Sequence, residues 1–125
     1  MRSLALFKDH PFKYANNIFF RAICMHVVDG DTYDFLIDLG FYNYVYRTIR
    51  LKGVDTPEIF SGINKEAGQS AKKFVTELIL NKSCLLQTHK DPESFGRFIA
   101  DVFYMDDNEE WISLAFTLVK EGYSI

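Results

Sequence analysis

Apolar side chains in the first half of the chain recur with a period of two. From Thr32 to Leu39, Tyr33, Phe35, Ile37 and Leu39 alternate with polar positions that include Asp34 and Asp38. That alternation predicts a strand buried on one face. Ile18 to Val28, rich in Ile, Phe and Val, reads as a strand before it, with Asp29-Gly30 as the turn. Gly40 breaks the pattern, and Tyr44 to Val54 reads as a third strand. Short turns make these three a meander. Pro57 in Asp55-Thr56-Pro57-Glu58 ends it, because proline has no N–H to give to a ladder.

The period changes at Lys65. Ala67, Ala71, Phe74, Val75, Leu78 and Ile79 fall at helical spacing, which predicts a helix over Lys65 to Leu80. Asn64 is its expected N-cap, and Asn81-Lys82 its close. Cys84 to Thr88 and Phe98 to Tyr104 return to strand, separated by a polar loop from Lys90 to Gly96. Asp106 to Glu110 reads as an acidic turn, and Ile112 to Lys120 as a short helix stopped by Gly122. Three strands, helix, two strands, helix is the order of a five-stranded OB-fold barrel, a mainly β, α+β class. Residues 1–16 read as an N-terminal arm and 17–125 as the domain. Phe7, Phe12 and Tyr14 would let that arm cover a side of the barrel.

Length and composition narrow the classes. A chain of 125 residues, 48 % hydrophobic and 25 % charged, is one globular domain and not a disordered or coiled-coil chain. No apolar run approaches the ~20 residues of a membrane span. Leu4 to Phe7 is cut off by Lys8, Asp9 and His10, short of the ~7–15 apolar residues of a secretory leader. The sequence therefore reads as cytoplasmic, or as secreted if it is a processed form, and as a monomer by default. Cys24 and Cys84 are too few for a disulfide scaffold or a cysteine metal site, and read as small buried hydrophobes. The net charge of −3 lacks a basic footprint. A bound cation and clustered arginines can still make an acidic protein locally positive.

The chemistry sits at strand ends. Asp29 and Asp31 flank Gly30, and Asp55 and Glu58 bracket Thr56-Pro57. Either motif alone is ordinary turn chemistry. Together they offer hard oxygen ligands for Ca²⁺, Mg²⁺ or another divalent cation. Arg50 precedes Asp55 on the third strand, and Arg97 opens the fifth. Carboxylates for a cation, an acid able to act as base, and two guanidiniums are the set that phosphodiester hydrolysis requires. Tyr42, Tyr44 and Tyr46 alternate on Arg50's side; such rings either stack bases or pack on the arm or outer sheet face. His10, His26 and His89 show no ligand spacing, and Asp106, Asp107, Glu109 and Glu110 lack the EF-hand pattern.

D-G-D-T at 29–32, R-L-x-G-V-D-T-P-E at 50–58 and F-G-R at 95–97 resemble the staphylococcal nuclease (thermonuclease) family, in order and rough spacing, from about Ile18 to Gly122. The resemblance implies an OB barrel and a Ca²⁺-dependent phosphodiesterase acting on DNA and RNA and leaving 3′-phosphates. It implies that Asp31 and Asp55 bind the metal and that Thr56 adds its backbone carbonyl. Glu58 matches the acid that positions or deprotonates water, Arg50 and Arg97 the phosphate-binding arginines, and Asp29 a nearby acid outside the ligand set. Asp29, Asp31, Asp55 and Glu58 against Arg50 and Arg97 leave a charge of −2, which one divalent cation cancels.

Two departures stand out. A lysine and a tyrosine that contact phosphate in the family's best-known member are Ser94 and Phe95 here. Lys90 and Phe95 are the candidate substrate contacts left in that loop, and a terminal phosphate should bind ~1–3 kcal/mol more weakly. Where that member continues through base-stacking tyrosines and a third helix, this sequence offers Tyr123 before Ile125. The rival reading is a non-catalytic OB-fold module binding nucleic acid or protein, or a remnant that folds only with a partner chain. Glu58 and both arginines favour the enzyme.

Overall fold

The computed structural model describes residues 18–58, 65–89 and 98–124. The N-terminal arm, Asn64 and the loop carrying Lys90, Ser94, Phe95 and Arg97 lie outside the described residues. Strands β1 (Phe19–Asp29), β2 (Thr32–Asp38) and β3 (Tyr44–Leu51) form the antiparallel meander. Helix α1 (Lys65–Ile79) leads to β4 (Ser83–His89) and β5 (Phe98–Met105), then to β6 (Trp111–Ser113) and α2 (Leu114–Lys120). β4 pairs antiparallel with both β1 and β5. β5 then pairs parallel with β3 through Ile49↔Phe98, Arg50↔Ile99 and Leu51↔Ala100. That seam closes a five-stranded mixed barrel of the OB type, an α+β domain with two helices. Bulges in β1 between Cys24 and His26, and between Val27 and Asp29, bend the strand shared by both halves.

The period of two decides what the barrel encloses. Tyr33, Phe35 and Ile37 from β2 meet Ala22, Cys24 and Val27 from β1, Ile49 and Leu51 from β3, Leu86 from β4, and Ala100 and Val102 from β5. α1 covers one end with Ala71, Val75 and Ile79, and α2 adds Leu114 and Leu118. Gly30 makes the covered end possible. A methyl group there would come within 2.6 Å of Thr56 Oγ1 and 2.9 Å of Ala71 Cβ. Only a bare backbone lets the β1–β2 turn, the loop after β3 and α1 meet this closely.

Several boundaries differ from the sequence reading. β3 stops at Leu51, not Val54, because Gly53 takes φ +76 and turns the chain. β2 stops at Asp38, leaving Leu39 half exposed. Tyr42 is not part of the strand alternation: it sits beside Phe41 in the β2–β3 turn, both with positive φ and more than nine-tenths exposed. Ile112 belongs to a sixth short strand, not to the helix. Ser113 separates the two elements: its Oγ accepts the Phe116 N–H at 3.2 Å, the cap that starts α2 at Leu114.

Cys24 and Cys84 are buried free thiols. Burial pushes them up to about 11 and about 12, so neither is a nucleophile at neutral pH. Asp106 closes the acidic turn by accepting the N–H groups of Asn108 and Glu110. Among the described residues no helix is long and apolar enough to cross a membrane.

Candidate active site

The two acidic motifs lie far apart in sequence and meet at Asp31. This residue sits in the β1–β2 turn with its side chain only 9 % exposed. Its N–H donates to Asp29 Oδ1 at 3.2 Å, and its carbonyl accepts the Leu51 N–H at 2.9 Å. Its Oδ1 accepts the Thr32 hydroxyl at 3.1 Å. Its Oδ2 accepts the Thr56 N–H at 3.0 Å and lies 3.4 Å from Arg50 Nη2. The same Nη2 lies 3.6 Å from Oδ1 of Asp55, whose side chain is 71 % exposed. Arg50 Nη1 donates to the carbonyls of Leu51, at 2.9 Å, and Val54, at 2.6 Å. One guanidinium therefore fixes the end of β3 and faces both carboxylates. Glu58 is exposed on the same loop, beyond buried Thr56.

Three supporting residues escaped the sequence reading. Tyr33, fully buried, donates its hydroxyl to the Gly30 carbonyl at 2.6 Å and fixes the turn that carries Asp31. Thr32 pairs with Arg50 across β2–β3 and binds Asp31 as well. Ser124 accepts the Asp55 N–H at 3.4 Å, so the segment after α2 touches the acidic loop. For Thr32 and Tyr33 the signal lay beside Asp-Gly-Asp; for Ser124 there was none. Tyr123 stacks on Phe74 with ring centroids 4.6 Å apart, and its N–H donates to Leu118. Tyr44 and Tyr46 stand exposed on the outer face of β3, at Arg50's parity. His26 is a surface residue 3.2 Å from Asp34.

Electrostatics splits the paired acids. Burial pushes Asp29 from 3.8 up to about 6, and the neighbouring Asp31 carboxyl adds to the rise. Burial pushes Asp31 up too, but the Asp29 carboxyl, the Thr56 N–H, Arg50 and the Thr32 hydroxyl outweigh it and hold Asp31 below 3.8. Asp29 thus holds the proton that the pair shares in acid. A carboxyl whose pKa is higher folded than unfolded favours folding most below its unfolded value. Its contribution falls as pH rises from 3.8 to about 6. Asp29→Asn keeps the oxygen that accepts the Asp31 N–H and removes this loss. In chelator, the variant should melt higher than the parent at pH 7, and the difference should shrink toward pH 4. Parallel melting curves across that range would count against the assignment.

Among the described residues no three His, Cys, Asp or Glu side chains form a ready-made metal cluster. The donors that do converge suit a hard cation: two carboxylates sharing one guanidinium, beside a loop pinned through Thr56. Thr56 Oγ1, wedged against Gly30, is buried without a hydrogen-bond partner among the described residues.

The sequence model described as staphylococcal nuclease homologue matches residues 48–125, more than half of the chain. The chain belongs to the staphylococcal nuclease family. No curated protein matches it. The family match begins inside β3 and takes in Arg50, Asp55, Thr56, Glu58 and Arg97. Asp29 and Asp31 precede it, and the Asp31–Thr56 and Asp31–Arg50 contacts join them to it. Membership of the staphylococcal nuclease family places the chain among nuclease and nucleic-acid-binding domains.

Proposed function

We propose that this staphylococcal nuclease domain hydrolyses phosphodiester bonds of DNA, RNA or both, and that it depends on a divalent cation, Ca²⁺ before Mg²⁺. The supporting observation is the folding of Asp31 and Asp55 onto one guanidinium, with the Thr56 N–H pinned to Asp31. Asp31, Asp55 and the Thr56 carbonyl would hold the cation, with Asp29 behind them. When bound, it supplies Lewis-acid charge to the phosphate and its attacking water. Glu58 accepts the proton of that water. Arg50 and Arg97 hold the non-bridging oxygens as charge builds on the pentacoordinate phosphorus. The bond to the 5′-oxygen breaks, leaving a 3′-phosphate. Lys90, Phe95 and Tyr123 remain the candidate contacts to the rest of the strand. Tyr44 and Tyr46 offer exposed rings on which single-stranded bases can stack.

A second reading, an OB module that binds nucleic acid or protein without cleaving, draws on one observation. Arg50 is already engaged by two carbonyls and two carboxylates. Incubation with a labelled single-stranded DNA oligonucleotide separates the two. Cleavage is expected with Ca²⁺ and none in chelator. Folded protein that retards the oligonucleotide and cleaves it with no divalent cation tested would establish the binding module instead.

A further inference from the structure

Register lines up Arg50, Ile99 and His89 across β3, β5 and β4, on the outer face of the seam that closes the barrel. Lys52 extends that face. Its N–H donates to the Ala100 carbonyl at 2.9 Å, so the alternation of β3 runs one step past the strand and keeps Lys52 on Arg50's side. The next row holds Asp101, opposite Gln87.

His89 connects the rows. Its side chain is 11 % exposed, and Nε2 lies 2.7 Å from Asp101 Oδ2. Its Nδ1 lies 3.4 Å from Lys52 Nζ. A neutral imidazole satisfies both contacts in one tautomer: Nε2–H donates to Asp101, and Nδ1 accepts from the ammonium. Asp101 thus orients the ring, which extends from a strand two spacings, about 10 Å, from β3, and the ring holds the ammonium. Among the described residues no carboxylate lies within ion-pair distance of Lys52. Most exposed lysines are free to sweep through solvent. This one lies 3.4 Å from a ring nitrogen, and its charge is left for an anion.

We propose that Lys52, positioned by His89 and Asp101, binds a second phosphate of the nucleic-acid strand, beside the phosphate engaged by Arg50. The proposal rests on the nuclease reading above. A cation here also adds favourable charge beside a site whose own charge a bound divalent cation only brings to zero.

Fluorescence anisotropy of a labelled single-stranded DNA oligonucleotide, with Ca²⁺ and across a salt series, tests it in a Glu58→Gln background that does not consume the probe. Lys52→Met and Lys52→Gln should weaken binding about tenfold. Each should also reduce the slope of log Kd against log salt by about 0.7, the value of one contact on a single strand. Lys52→Arg should keep affinity and slope. Asp101→Asn, which loosens the ring, should cost less affinity and leave the slope unchanged. Thermal melts confirm that each variant is folded. Unchanged affinity and slope in Lys52→Met and Lys52→Gln overturn the phosphate site and leave the nuclease reading intact. A loss of affinity without a change in slope assigns Lys52 to packing and overturns it too. If the parent does not bind DNA and the wild type does not cleave it, both readings fail together.

Discussion

Glu58→Gln should lower the rate of DNA cleavage by 10²–10⁴-fold while leaving the fold, and the affinity for a cleavage-resistant single-stranded oligonucleotide in Ca²⁺, close to those of the parent. Gln is nearly isosteric and keeps a hydrogen-bonding oxygen, but it cannot take a proton from water at neutral pH. The loop that carries Glu58 is anchored elsewhere, through buried Thr56 and its N–H to Asp31, and Glu58 itself is exposed. The substitution therefore removes chemistry without touching the anchor. Single-turnover cleavage, anisotropy and a thermal melt on the same preparation check the three parts. An undiminished rate would move the base to another residue. A lost rate together with a lowered melting temperature would show that Glu58 holds the loop instead of activating water.

The fold was legible where it depended on local alternation. Tyr33, Phe35 and Ile37 face the core because they occupy every second position, and no partner need be known to say so. Boundaries failed where one residue overrode the pattern. Gly53 ended β3 early, and Ser113 capped α2 two residues after its apolar run begins. The acids of the site were visible as types at strand ends, but spacing alone left each motif readable as a turn. Their meeting is non-local: Thr56 reaches Asp31 because β3 pairs with β2 and returns the chain to the β1–β2 turn. The steric role of Gly30 needs Thr56 and Ala71 from two other elements. Lys52, His89 and Asp101 come together only through the parallel β3–β5 seam, which no periodicity announces.

Arg50→Ala should separate what holds the site together from what makes it work. In chelator the variant should lose on the order of 3 kcal/mol of stability, because Asp31 would be left buried beside Asp29 with no cation, and the Leu51 and Val54 carbonyls would lose a donor. Added Ca²⁺ should raise its melting temperature by more than it raises the parent's. The guanidinium no longer competes for Asp31 and Asp55, so a cation binds the folded state more tightly and stabilises it by mass action. Turnover should not return with stability: a rate at least 10²-fold below the parent's is expected even at saturating Ca²⁺, as for loss of a transition-state donor. Melting curves with and without Ca²⁺, paired with cleavage rates at saturating Ca²⁺, measure both halves. Ca²⁺ restoring stability and rate together would reduce Arg50 to a structural counter-charge. A variant as stable as the parent in chelator would show that the carboxylates do not need the guanidinium in the folded state. Only the expected combination, stability recovered and rate still lost, gives Arg50 two roles: the counter-ion to the acids that its contacts describe, and the proposed phosphate ligand once a cation takes over that charge.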